Sequence, residues 1–500
     1  MKQRQEEEET EREGIKRSNS LICLSGARQK SPTNADIIST LPDSLLLHIL
    51  SFLRTEDSVA TSILSSRWRP LCNQVQVLNL DEFSLVKRSG CYKFENIVSQ
   101  IWYRRGITNP YPLRGLRLCW VHNCRRCIVE AWLYFRIQCG MQELSLHIEP
   151  NPSYELPNSV FLCRTLVVLK LEGAIIFNPP RYGSEFPSLK LLKLKVFYAN
   201  EDSLSTFLAA CPVLQDLTLE ITHNDDVVFE GKLNIIVLIP TLKRFHCHIL
   251  FSTPPYKLKM NTPALKYFFF KGRLTNDFVV ENMPSLVESV IGVEEDDASL
   301  EDYANSARDF IRPLHNVKSL EMSVDTAVLL LHASEPDGIT LFHDLSSLKF
   351  CGDLITCDYA WHALRLLIGQ APKLQILAFE LTEQFPCAYS PLEGFLEEPQ
   401  DVPGWLSSHL TTCHYDGFLG FPVEMKLVSQ ILKAASVLKT MKIVIDSRLY
   451  SKEKLRIHEE LGNFQRSSHI CQIEFDEGHF EAFDILDELG AFDDLLEPAI

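Results

Sequence analysis

Cys119, His122, Cys124 and Cys127 fall within the short stretch "CWVHNCRRC", and all four are zinc-ligand types. The Cys-x-x-Cys spacing suits half of a structural zinc site, which draws its tetrahedral ligands as pairs from two separated places. No second pair with matching spacing follows. Cys119 belongs to an alternating strand pattern, while Cys124 and Cys127 open a helical pattern, "CRRCIVEAWLYF", with Cys127 on the face of Trp132 or Phe135. The cluster is therefore assigned to packing, and no metal or other cofactor is expected. The run Glu294 to Asp297 has the charge to hold a cation, but consecutive acids in a loop are ordinarily just solvated. "HEEL" at 458–461 lacks the second histidine of a zinc-protease helix. The chain has no phosphate-binding glycine loop, dinucleotide fingerprint or serine-nucleophile elbow. Such a chain reads as a binding protein, whose chemistry lies in the surfaces that its elements present.

The bulk properties narrow what those surfaces meet. Five hundred residues with 46% hydrophobic and 23% charged content fit a soluble protein of several domains or a repeat array. The net charge of -16 disfavours partners that are gripped through a basic field, so neither nucleic acid nor an anionic membrane is expected. No apolar run approaches the roughly 18 residues of a membrane span, and the N-terminal stretch lacks the apolar core of a signal peptide. Fifteen cysteines in a chain this long read as buried reduced thiols. A location in the cytoplasm or nucleus follows as the expectation.

The first element is "LPDSLLLHILSFL", residues 41–53. Pro42 suits the first helical position, where its missing amide costs nothing. On a helical wheel, Phe52, Leu45, Ile49, Leu53, Leu46, Leu50 and Leu47 fill an arc of roughly 220°. A surface helix needs an apolar stripe of only about 100°, so part of this arc is spare. Thr55 is read as the N-cap of a second helix, with Glu56 and Asp57 in its first turn. Val59, Ala60, Ile63, Leu64, Trp68 and Leu71 continue at helical spacing, and one part of the first helix's arc is expected to pack on Val59, Ile63, Leu64 and Trp68.

From about Leu113 to Leu381 a different pattern takes over. Eleven phrases of the form L-x-x-L-x-L recur, among them "MQELSLHI", "FPSLKLLKLKVF", "IPTLKRFHCHI", "TPALKYFFFKG" and "APKLQILAFEL". Prolines 187, 212, 240, 263 and 284 are spaced 21 to 28 residues apart, within the range of leucine-rich repeats. Alternation inside each phrase predicts a strand with one buried face, and pieces such as "EDSLSTFLAACP" predict helices between phrases. Residues 402–446 read as a strand (His409 to Tyr415), a glycine turn, a helix marked by Val428, Ile431, Leu432, Ala435 and Leu438, and the strand "MKIVI". A unit of this kind suits the terminal cap that a repeat array needs. Residues 1–35 are charged and predicted to be disordered. The acidic tail places Phe480, Phe483, Leu486 and Leu489 at helical spacing and is expected to lie loosely on the body.

"ISTLPDSLLLHILSFLRTEDSVATSILSSRWRPL", residues 38–71, closely resembles the F-box of plant proteins. The leucine-rich middle and the pattern from Trp405 through Ile443 resemble the repeats and FBD segment that accompany it. The expected fold is thus α/β: a small all-α F-box at 36–82, an irregular leucine-rich-repeat horseshoe at 83–400, an FBD-type cap at 401–476 and an acidic tail at 477–500. The sequence departs from the family at Pro70-Leu71-Cys72, which is expected to loosen the third F-box helix. The resemblance implies a non-catalytic subunit of an SCF ubiquitin ligase. Its F-box would dock on a Skp-type adaptor that leads to cullin and RING subunits, and its repeats would capture a protein substrate whose identity stays open. By resemblance, Leu41, Pro42, Leu45, Ile49, Leu50, Val59, Leu64 and Trp68 form the adaptor interface or its support. Ile49 and Leu50 would fill apolar pockets, and Trp68 would serve as core or contact. The alternative is a leucine-rich binding scaffold whose F-box-like unit is only a helical cap.

Overall fold

The computed structural model describes residues 37–477 apart from 90–93, 109–112, 137–139, 151, 182, 184, 223–230, 251–254, 276, 282, 295–299, 334–341, 353–359 and 382–408. Residues 1–35, the acidic tail beyond Glu477 and most of the Glu294 to Asp297 run lie outside the described residues. Helices at Asp43–Phe52, Thr55–Ala60 and Trp68–Gln74 form the N-terminal unit. Pro42 is extended and precedes the first of these helices rather than opening it, and its carbonyl accepts from the Leu45 and Leu46 amides. Pro70 stands in the first turn of the third helix, where its missing donor is not needed. That helix buries Trp68, Leu71 and Cys72, so the family departure does not loosen it.

Repeat strands follow in chain order. They are β1 (Val77–Asp81), β2 (Gly115–Cys124), β3 (Glu143–Pro150), the short β4 (Tyr154–Glu155), β5 (Val168–Phe177), β6 (Leu191–Tyr198) and β7 (Asp216–Ile221). Next come β8 (Leu233–Val237), β9 (Arg244–Ile249), β10 (Tyr256–Met260), β11 (Tyr267–Gly272), β12 (Phe278–Val280) and β13 (Glu288–Val293). The last are β14 (Ser319–Ser323), β15 (Ser347–Cys351), β16 (Ile376–Glu380), β17 (Thr412–Phe418), β18 (Thr440–Ile445) and β19 (Gln472–Glu477). Sixteen of them form one open, parallel sheet that runs from β1 to β19, with β4 as a side branch on β5. All eleven leucine-patterned phrases lie on it. One strand lies ahead of them: β1 already pairs with β2, Leu78 against Leu116 and Leu80 against Leu118.

Alternation explains the layering. In β6, Leu192, Leu194 and Val196 are buried while Leu191, Lys193 and Lys195 are half-buried on the other face. The buried faces share one core with apolar residues of the helices Ser203–Ala209, Leu300–Ile311, Val324–Leu331 and Ala360–Gly369. Those helices therefore cover one side of the sheet. Three returns between phrases are strands instead: β8, β10 and β12 form a second small parallel sheet. Leu233, Ile235 and Val237 alternate with more exposed residues, a period that fits a strand rather than a helix.

The C-terminal segment extends the same ladder and forms its end among the described residues, with β17, β18 and β19 each parallel to the last. Its first strand begins at Thr412, three residues after the expected His409. The helix Pro422–Ala434 buries Val428, Ile431 and Leu432, as the spacing predicts. No helix among the described residues is long and apolar enough to cross a membrane.

Candidate functional site

The N-terminal unit closes its own small core with Leu46, Leu50, Trp68, Leu71 and Val75, against which Leu41 and Leu47 are partly buried. Arg67 stitches the unit's opening to its third helix, since its guanidinium donates to the Leu41 carbonyl at 2.5 Å and to Asp43 Oδ1 at 2.5 and 2.9 Å. With that core satisfied, Leu45, Ile49, Phe52, Leu53, Val59, Ile63 and Leu64 are left exposed, Ile63 by 84% and Phe52 by 66%. One short helical unit thus offers a dense apolar surface of the kind that marks an interface.

The eight expected interface residues separate into two groups. Pro42, Leu45, Ile49, Val59 and Leu64 are exposed, and Leu41 is half-buried beside them. Leu50, at 1% exposure, and Trp68, at 7%, belong to the core. Leu50 therefore supports the surface and does not fill a partner's pocket, because its side chain is already enclosed by the unit's own helices. Of the expected packing partners of the first helix, Trp68 is in the core, whereas Val59, Ile63 and Leu64 are exposed and Leu71 and Val75 take their place. Thr55 is not a cap. It opens its helix, and its buried hydroxyl accepts the Asn79 amide of β1 at 2.9 Å, tying the helical unit to the sheet.

The half-exposed face of the sheet, which carries none of the described core helices, is the second candidate. Its middle row runs Lys170, Lys193, Thr218, His246, Phe269 and Val290 across β5, β6, β7, β9, β11 and β13. His246 lies flat on Phe269, with ring centroids 3.8 Å apart and planes 5° from parallel. Burial, with His248 and Lys193 nearby, lowers His246 to about 4, and burial likewise lowers His248. Burial also pushes the Tyr267 hydroxyl up to about 12. Lys195 bridges Glu220 at 3.0 Å and Glu172 at 3.8 Å. Sequence reading singled out none of these residues, because alternation identifies the open face but not what lines up across strands. The signal was present in "RFHCHI" and "YFFFKG", which occupy the same register in successive phrases.

The cysteine–histidine stretch does not assemble. Cys124 ends β2 instead of opening the helix, and its side chain lies outside those described. Cys127 is exposed while Trp132 is buried, so the two do not share a face, and the Phe135 side chain lies outside those described. Cys119 Sγ is pushed up to about 12, chiefly by burial and then by Asp81. His122 is exposed and its Nδ1 stands 3.3 Å from Glu82 Oε2, a carboxylate that also accepts the Val121 and His122 amides. Among the described residues no three metal-ligating side chains converge.

Three family models match consecutive parts of the chain: the F-box domain at residues 38–80, the leucine-rich repeats of FBD-associated F-box protein At5g56370 at 129–296, and FBD at 397–443. Among similar proteins, the Arabidopsis thaliana FBD-associated F-box protein At5g56370 is 30% identical over 88% of this chain and 100% of its own length. The putative FBD-associated F-box protein At3g50710, also from Arabidopsis thaliana, is 31% identical over the same shares. The F-box/FBD/LRR-repeat protein At4g26340 of that plant is 28% identical with equal coverage. Helical unit, parallel repeat ladder and terminal extension follow in the order of the three family-model matches, and the chain belongs to the FBD-associated F-box/leucine-rich-repeat family.

Proposed function

We propose that this chain is the substrate-recognition subunit of an SCF ubiquitin ligase, acting in the nucleus or cytoplasm. The observation that carries the proposal is the exposed surface of Leu45, Ile49, Phe52, Val59, Ile63 and Leu64 around an F-box whose own core is already complete. A Skp-type adaptor covering that surface would link the chain to cullin and RING subunits. The repeat sheet would hold a protein substrate, so that lysines of the substrate meet an enzyme borne by other subunits. The contribution is proximity, which converts an encounter between two molecules into a reaction within one assembly. No step requires a catalytic group on this chain.

The test is co-expression with a Skp-type adaptor followed by affinity capture. The native chain is expected to retain the adaptor, and Leu45→Asp with Ile49→Asp to lose it while the chain keeps its circular dichroism spectrum. Leu50 is excluded from this variant because an acid there would unfold the unit and mimic loss of docking. Retention of the adaptor by the double variant would place the docking surface elsewhere. Failure of the native chain to retain any adaptor would leave the F-box as a cap on a binding scaffold.

A further inference from the structure

The open face of the repeat sheet is electrically divided. Across β5, β6, β7, β9 and β11 it presents Lys170, Lys193, Lys195, Arg244 and Lys271 against only Glu172, Asp216 and Glu220. From β13 to β19 the balance reverses, with Lys349 and Lys442 among Glu288, Glu321, Glu380, Asp416, Glu474 and Asp476. In a chain of net charge -16, a basic island flanked on both sides by more acidic strands of the same face is a departure from the whole, since β1 to β3 present Asp81, Glu143 and Glu149 against Arg117. On the island's β9–β11 side lies the His246–Phe269 stack, with Tyr267 beside it on β11. Burial lowers His246 to about 4, so the flat ring faces of this shelf carry no charge near neutral pH.

We propose that the face of β5 to β11 binds an acidic segment of the substrate protein, its carboxylates on Lys193, Lys195 and Lys271 and one aromatic or branched aliphatic side chain on the His246–Phe269 shelf. The inference rests on the reading of the repeats as the part that holds substrate. Charge complementarity selects the occupant: a basic segment would be drawn to β13–β19, and an acidic one is repelled from there toward the island. Lys193 and Lys195 already bridge Glu172, and Lys195 also Glu220, in partly buried pairs, so the segment's carboxylates would join these bridges as further acceptors, each ammonium group having three donors. The shelf supplies what charge alone lacks, a fixed apolar contact that sets register along the strands.

The test uses the full chain bound to its adaptor and a random-peptide phage library. The native complex is expected to enrich peptides that combine Asp or Glu with Phe, Tyr, Trp or Leu, with binding that weakens as salt rises. Lys193→Glu with Lys195→Glu and Lys271→Glu should weaken the enriched peptides by at least about tenfold, while adaptor retention and the thermal midpoint stay unchanged. His246→Ala with Phe269→Ala should weaken them comparably without altering the preference for acids. Enrichment without acidic bias, or equal binding by the triple variant, overturns the proposal. A chain ending at Glu477 that binds the peptides about tenfold more tightly also overturns it, since the acidic tail of the same chain would then be the occupant. Loss of adaptor retention in the native chain would instead count against the ligase reading and leave the peptide result standing.

Discussion

Glu424 is the buried carboxyl with the most to reveal about the terminal segment. It is 1% exposed and stands in the first turn of the Pro422–Ala434 helix. Its Oε2 accepts the Phe421 amide at 2.8 Å, and Oε1 accepts the Tyr415 hydroxyl at 2.9 Å and the Leu419 amide at 3.3 Å. Burial pushes it up to about 7 from an ordinary 4.5, against these donors, which pull it down. The folded state therefore holds this proton more tightly than the unfolded chain. The stabilisation is fully present below about pH 4.5 and is lost as the pH rises through 7, a swing of about 3 kcal/mol. Glu424→Gln keeps a neutral group of the same shape and removes the dependence. The assay is hydrogen–deuterium exchange of β17 and the Pro422–Ala434 helix in both proteins. Taking the ratio of native to variant rates at each pH cancels the intrinsic effect of pH on exchange. That ratio should climb by roughly one to two orders of magnitude between pH 5 and pH 8. A flat ratio, or one that falls, would refute the reasoning and show that the helix N-terminus and its donors outweigh burial.

Other positions separate packing from docking. Leu50→Ala should destabilise the F-box by about 2–5 kcal/mol, whereas Phe52→Ser should stay within about 0.5 kcal/mol in thermal melts yet weaken adaptor capture. Thr55→Val leaves the Asn79 amide without its acceptor, costing about 1–3 kcal/mol, and should make the chain between Gln74 and Val77 more sensitive to limited proteolysis. Gly173 has a φ of +104°, and a Cβ there would fall 2.1 Å from the Ile148 carbonyl oxygen. Gly173→Ala should therefore lower the urea midpoint, by an amount equivalent to about 1–3 kcal/mol of backbone strain.

Much of the ladder was legible because a strand with one buried face writes its period into the chain, and every leucine-patterned phrase became a strand. The returns were less legible. "KLNIIVLIP" and "YKLKM" are short apolar runs whose partners are distant in sequence, and only the pairing of β8 with β10 shows them as strands. The first strand was missed because "VLNL" is too short to stand out beside the helical unit that precedes it. On the first F-box helix the apolar arc does exceed what its core encloses, but the sequence did not show which part was spare. Leu50 and Ile49 are adjacent and both aliphatic, and only the position of Trp68 and Val75 decides that one is enclosed and the other free. Thr55 looked like a cap because a hydroxyl before acids usually is one, whereas here a strand amide claims it.

The third F-box helix ends at Gln74, Val75 already belongs to the F-box core, and β1 begins at Val77. With Thr55 bonded to Asn79 as well, the helical unit meets the sheet without a spacer, and in the proposed ligase the sheet would act as a ruler with its zero mark at the adaptor. Neighbouring strands lie about 4.8 Å apart, so His246 on β9, six strands from β1, sits about 30 Å along the scale. Cargo on this face would be presented at a distance set by counting repeats. Inserting or deleting one repeat would shift it by about 5 Å and change which of its lysines come within reach, without altering a single contact at either end.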